Sequence, residues 1–112
     1  MSDALPEQLT AEQFDEGDRR VVKLTGELDV ATAEIAQQAL EHEFDVLDVS
    51  ALDFMDSAGV RVLLGICRER SDPPVVRGAT RAVRRILELT GVCDLVVLEE
   101  AGTDQIGSRE RR

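Results

Sequence analysis

Tryptophan and tyrosine are absent from this chain, phenylalanine occurs three times and histidine once. A core must therefore be assembled from valine, leucine, isoleucine and alanine, a set of aliphatic, partly β-branched side chains that suits a sheet covered by helices. Cysteine is also scarce. Cys67 and Cys93 have neither a C-x-x-C spacing nor a cluster of histidines around them, which argues against a metal centre and reads them as buried thiols. Positive charge is outnumbered, 13 basic side chains against 23 acidic ones for a formal net charge of -10, so a phosphate backbone or an anionic membrane surface would be repelled and direct nucleic-acid binding is not expected. No apolar stretch approaches the roughly 18–20 residues needed to cross a bilayer. Met1 to Glu7 also lacks a basic segment followed by an apolar one, so the expected location is the cytosol, with no membrane partner.

Two further absences bear on chemistry. The sequence contains neither G-x-x-x-x-G-K-[ST] nor G-x-G-x-x-G, the loops whose backbone amides wrap nucleotide phosphates, and no cofactor is expected. A serine nucleophile would need a base, yet the one histidine, His42, falls at a Glu-rich helix end and no G-x-S-x-G elbow is present. An enzyme is not expected.

What is present is an alternation of strand and helix signals within a length, 112 residues, that fits one core. Residues 1–11 read as a loose leader, 12–100 as the folded domain and 101–112 as a tail with a single apolar anchor, Ile106. Phe14 can open a short edge strand before a turn at Glu16, Gly17 and Asp18. A strand follows from Arg19 to Thr25, with Gly26 marking its end. Asp29 can cap a helix from Val30 to about Glu41, where Ile35, Ala36, Ala39 and Leu40 share a face. Phe44 to Val49 reads as a buried strand and residues 51–56 as a loop. Val60, Leu63, Leu64 and Cys67, at i, i+3, i+4 and i+7, form the clearest helical stripe, closed near Arg70 by the prolines at 73 and 74. Val75 and Val76 make a brief strand, Thr80 caps a third helix, Gly91 closes it in a left-handed conformation, and a last strand runs from Asp94. Three strand-to-helix alternations imply an α/β layer with mostly parallel strands.

The segment Phe54-Met55-Asp56-Ser57-Ala58-Gly59 places a hydroxyl between a buried strand and the strongest helix. The first turn of a helix leaves amides unpaired and carries the positive end of the macrodipole, which stabilises an anion by about 0.3–1 kcal/mol. Small Ala58 and Gly59 would leave the Ser57 hydroxyl uncovered, and Arg61 one turn on could steady a phosphate. The plainer reading of the same residues is that Ser57 or Asp56, and likewise Asp29, are helix caps, and that Arg61 is a solvated helix residue.

Four segments together resemble a known family. Leu24-Thr25-Gly26-Glu27-Leu28-Asp29, Thr32-Ala33-Glu34, Leu52 with Phe54-Met55-Asp56-Ser57-Ala58-Gly59-Val60, and Ala82-Val83-Arg84-Arg85-Ile86-Leu87-Glu88-Leu89-Thr90-Gly91-Val92 look like the STAS domain, and more narrowly like the bacterial anti-sigma factor antagonists. The resemblance spans about residues 19–98. It implies a single STAS-like α/β domain: a mixed, mostly parallel sheet of four to five strands packed with about three to four helices. It also implies partner switching, in which the unphosphorylated chain binds an anti-sigma factor that is itself a serine kinase and thereby frees a sigma factor. Ser57 matches the family's phosphorylated serine, Asp56 its preceding acid, and Asp29 the acid of the first motif. The implied partner face is Asp29, Asp56, Ser57, Ala58, Gly59 and Arg61. A metal-dependent serine phosphatase would reset the chain, and ATP with magnesium would belong to the kinase. Relative to the family pattern, the span from Thr32 to Asp56 and the strand at Val75 look short, and the C-terminal helix of many relatives has no apolar stripe here. A second function on the same fold stays open, a scaffold or transporter-associated subunit in which Ser57 is an ordinary cap.

Overall fold

In the computed structural model, which describes residues 8–100, every strand after the first hairpin is parallel to its neighbour. The elements are β1 (Leu9–Glu16), β2 (Arg19–Leu28), α1 (Ala33–Ala39), β3 (Val46–Met55), α2 (Ser57–Arg68), β4 (Val75–Arg77), α3 (Arg81–Thr90), a 3-10 turn (Val92–Leu95) and β5 (Val97–Glu99). The sheet order is β1-β2-β3-β4-β5, with β1 and β2 antiparallel. The expected mixed, mostly parallel α/β sheet is present, with five strands and three α-helices.

Alternation along the strands sends Val22, Leu24, Leu28, Leu47, Val49, Leu52, Met55 and Val76 into one core with Ala36, Val60, Leu63, Val83 and Leu87 of the helices. Each of the valine, leucine and methionine side chains so buried contributes roughly 1.5–3 kcal/mol relative to exposure, so packing outweighs local preference here. In α2 this matters most: two glycines and the β-branched Val60, Val62 and Ile66 make a poor intrinsic helix, held by its buried stripe and its cap. Gly91 adopts φ 83° and ends α3, and the Thr80 hydroxyl accepts from the Val83 amide at 3.3 Å, both as the sequence indicated.

Several boundaries differ, for non-local reasons. β1 begins at Leu9, so it takes Leu9 to Ala11 from the stretch read as leader; Leu9 is fully buried, and its pairing with Gly26 supplies the order that an isolated polar segment lacks. Residues 1–7 of that leader and the tail read at 101–112 lie outside the described residues. β2 does not stop at Gly26 but runs to Leu28, and β3 continues through the segment read as a loop as far as Met55. The first helix is only Ala33–Ala39, with Ile35 at its solvent side, because residues 29–32 are used in a turn. Asp94 belongs to the 3-10 turn pinned by buried Val92, which delays β5 to Val97. Cys67 and Cys93 are free and half-buried rather than enclosed.

The sheet face away from the helices is closed by charge. Val21 and Val46 are fully buried there, and above them Arg77 donates to both Glu16 carboxylate oxygens at 2.7 and 3.1 Å and to Asp48 Oδ2 at 3.2 and 3.3 Å. Arg19 reaches Glu99 at 3.3 and 3.4 Å. Sheet twist lifts opposite corners toward the same side, which is how the β1–β2 hairpin end meets residues of β4 and β5.

Candidate functional site

β2 and β3 end side by side. Leu28 pairs with Met55, and the Asp56 amide donates to the Leu28 carbonyl at 3.2 Å, so the two motif acids Asp29 and Asp56 leave adjacent strand ends although 27 positions separate them. Asp56 is extended (φ -115°, ψ -165°) and its Oδ1 accepts from the amides of Ala58 at 2.9 Å and Gly59 at 3.4 Å, while its carbonyl accepts from Val60 at 3.1 Å. Asp56 is therefore the N-cap. Ser57 is the first residue of α2, it is exposed, and its hydroxyl makes no hydrogen bond among the described residues. The choice between the two residues as cap, open in the sequence, is resolved by geometry.

Asp29 plays a related part without capping α1. Its Oδ1 accepts from the amides of Ala31 at 3.0 Å and Thr32 at 3.2 Å, closing a turn ahead of the helix, and Thr32, the residue before Ala33, makes no side-chain cap bond. The Thr32 hydroxyl instead accepts from the Asp29 amide at 2.9 Å and donates to the Glu27 carbonyl at 2.8 Å. Thr32 is 4% exposed, and this hydroxyl fixes the path from β2 into α1. Its importance was not read from the sequence, although a threonine three residues after an aspartate is the signal of such a turn.

Ser57 is exposed beside the two small residues expected to leave it uncovered, and Gly59 is itself buried: a Cβ built there would lie 2.7 Å from Met55 Cγ and 2.8 Å from Leu28 Cγ. Its role is to let the first turn of α2 settle on the ends of β2 and β3. Ala58 is half-buried. Arg61, exposed one turn further along, has no ion pair among the described residues and lines the edge of a cleft of about 760 Å³ that contains neither Ser57, Asp56 nor Asp29. The structure thus joins Asp56, Ser57, Ala58 and Gly59 in one turn with Asp29 beside them, and leaves Arg61 on the flank. His42 is exposed before β3, at the other end of that ten-residue strand from Ser57, so it does not serve the hydroxyl as a base.

A family model described as "Mlab, STAS domain" matches residues 12–98. The chain belongs to the STAS domain family. Relatives of this STAS domain include the anti-sigma-B factor antagonists of Listeria monocytogenes and Listeria innocua, each 30% identical over 94 residues that cover 76% of this chain and 82% of theirs. Its fold is similar to the crystal structure of an anti-sigma factor antagonist from Mycobacterium paratuberculosis, with a TM-score of 0.77, 27% identity, and coverage of 90% of this chain and 93% of that one. The anti-sigma factor antagonist SpoIIAA in its unphosphorylated form shares the fold at a TM-score of 0.64 and 22% identity, over 86% and 91% of the two chains. Among the described residues of this STAS domain, no helix is long and apolar enough to cross a membrane.

Proposed function

We propose that this STAS domain is an anti-sigma factor antagonist controlled at Ser57. In the unmodified state it binds an anti-sigma factor that is also a serine kinase and so frees a sigma factor; phosphate on Ser57 ends that binding, and a metal-dependent serine phosphatase restores it. ATP and magnesium are the kinase's, the chain carries no cofactor, and the cycle runs in the cytosol. The observation that carries this reading is the exposed, unbonded hydroxyl of Ser57 at the start of α2, reachable by another protein's active site. The relatives named above are antagonists of the same size and fold, which supports the partner class.

The geometry also supplies a reason for release. A phosphate adds about -1.5 to -2 charges. At Ser57 it would sit in the favourable field of the α2 dipole, but the amides of Ala58 and Gly59 are already taken by Asp56, whose carboxylate would repel it. A docked kinase would add repulsion from its own nucleotide phosphates. The hydroxyl is exposed and makes no hydrogen bond among the described residues, so docking weakens while the fold is kept.

The test is incubation of the purified chain with the serine-kinase anti-sigma factor of the same bacterium and ATP-magnesium, followed by mass spectrometry and binding measurements on Ser57→Ala and Ser57→Asp. Phosphate should appear on Ser57, and Ser57→Asp should bind at least about tenfold more weakly than Ser57→Ala, about 1.4 kcal/mol, with unchanged melting temperature. Equal binding by the two variants together with an unmodified Ser57 would favour the scaffold or transporter-associated reading.

A further inference from the structure

Two apolar side chains remain uncovered at the same end of the molecule as Ser57. Val30, just past β2, is 80% exposed, and Phe54, next to last in β3, is 47% exposed. Regular alternation does not produce this. From Leu52, which points into the core, a period of two would send position 54 inward as well. Between the pairs Gly26 with Leu52 and Glu27 with Phe54, however, β2 advances one residue and β3 advances two. Asp53 is the extra residue of a bulge, so Asp53 and Phe54 both face outward and Met55 returns to the core. The bulge thus turns a phenylalanine to solvent at the strand end that leads into Ser57.

The charges around it are uncompensated. Glu16, Asp48, Glu99 and Asp15 are all matched by arginines elsewhere in the sheet. At this corner Glu27 and Asp53 are exposed, Asp29 and Asp56 are half-buried, and none forms an ion pair among the described residues. Glu27 and Phe54 are register partners and Asp53 directly precedes Phe54, so these two acids border the phenylalanine.

Resting on the reading of Ser57 as the switch, the geometry points to a docking face with two separable parts: an apolar anchor made by Phe54 and Val30, rimmed by Glu27 and Asp53, and the hydroxyl of Ser57 beside it. The occupant is the serine-kinase anti-sigma factor, which meets this face with an apolar recess bordered by arginine or lysine. The anchor supplies affinity by excluding water and the rim steers approach. Glu27, the register partner of Phe54, and Asp53, the residue before it, border the anchor, and phosphate at Ser57 adds charge that must be desolvated on docking.

The experiment measures binding of the full chain to that purified kinase, with nucleotide bound, as a function of salt. Phe54→Ala and the Val30→Ala/Phe54→Ala pair should raise Kd at least about tenfold, chiefly through faster dissociation. Glu27→Lys and Asp53→Asn should slow association and flatten its salt dependence. Leu89→Ala, which trims another exposed apolar side chain, on α3, should change Kd by less than about twofold. Melting curves for each variant test whether the fold is kept, and Phe54→Leu, which retains bulk, should lose less than Phe54→Ala. If Phe54→Ala binds like the unaltered chain while Ser57→Asp does not, the anchor is refuted and the switch stands. If Phe54→Ala loses binding while Ser57→Asp does not, the docking face stands and the switch falls. No binding of the unmodified chain overturns both.

Discussion

Replacing Gly26 with alanine puts a methyl group where β1 already runs. Gly26 sits inside β2 at φ 115°, and a Cβ there would lie 2.1 Å from the Gln8 carbonyl oxygen and 3.0 Å from its carbon. The neighbouring backbone cannot give way cheaply, because that same Gln8 oxygen accepts from the Glu27 amide at 2.8 Å and Leu9 behind it is fully buried. Holding alanine at such a φ costs about 1–3 kcal/mol. Moving β1 aside loses a hydrogen bond of about 1 kcal/mol and part of the roughly 1.5–3 kcal/mol that burial of Leu9 supplies. A loss of about 3–5 kcal/mol follows, a large share of the roughly 5–15 kcal/mol that stabilises a domain. At about 4–8 °C per kcal/mol the melting temperature should fall by at least about 12 °C. Gly65→Ala is the internal control. Nothing lies within 4 Å of a Cβ built at this exposed position of α2, so alanine should be neutral or stabilise by up to about 1 kcal/mol through helix preference. Both substitutions shrink the unfolded ensemble alike, so their difference reports the native backbone. Urea and thermal unfolding followed by circular dichroism decide the matter. A Gly26→Ala variant within about 1 kcal/mol of the parent would refute the pairing of Gln8 and Leu9 with the end of β2.

Three further outcomes can be measured on the isolated chain. Asp56→Ala removes the acceptor for two α2 amides and should cost about 0.5–2 kcal/mol in urea unfolding, with Asp56→Asn losing less because it keeps an acceptor oxygen. Burial alone would raise the Asp48 carboxyl, but bonds from the Ser50 hydroxyl and amide and from Arg77 outweigh it and hold it below its ordinary value; the bond from Arg77 lowers Glu16 against a smaller opposing effect of burial. Carboxyls depressed in the folded state stabilise it above their unfolded pKa, near 4, and that stability is lost as pH falls through the folded values. Arg77→Met should therefore cost on the order of 1–3 kcal/mol at neutral pH by leaving Asp48 short of a partner, and the deficit should shrink as unfolding is measured toward pH 3. Burial pushes the Cys67 thiol up, so iodoacetamide should label it more slowly in the folded chain at pH 7.5 than in urea; equal rates would contradict that burial.

Much of the fold was legible because it is written locally. The stripe Val60, Leu63, Leu64 and Cys67 announces α2, Thr80 and Gly91 bracket α3, and prolines 73 and 74 end one helix before the next strand; each signal needs only neighbours within a turn or two. The candidate site was legible as a motif, Asp56-Ser57-Ala58-Gly59 at a helix start, but its internal roles were not. Sequence spacing cannot tell which of Asp56 and Ser57 caps, that Gly59 is required by Met55 and Leu28, or that Thr32 rather than Asp29 precedes the first helical residue. The boundaries that moved, β1 starting at Leu9, β2 passing Gly26 and β3 reaching Met55, all depend on partners supplied by another strand.

By itself, then, the order of residues determined the alternation of elements, the apolar faces that build one core, and the placing of a serine at a helix entrance. Tertiary structure decided register: that Leu28 lies against Met55 so Asp29 and Asp56 become neighbours, that Asp53 is extra so Phe54 turns to solvent, and that Arg77 closes the far face with Glu16 and Asp48. Propensity and periodicity act over a few residues and are carried by each segment alone. Strand pairing and sheet twist join segments tens of residues apart, and their outcome exists only once the whole sheet has formed.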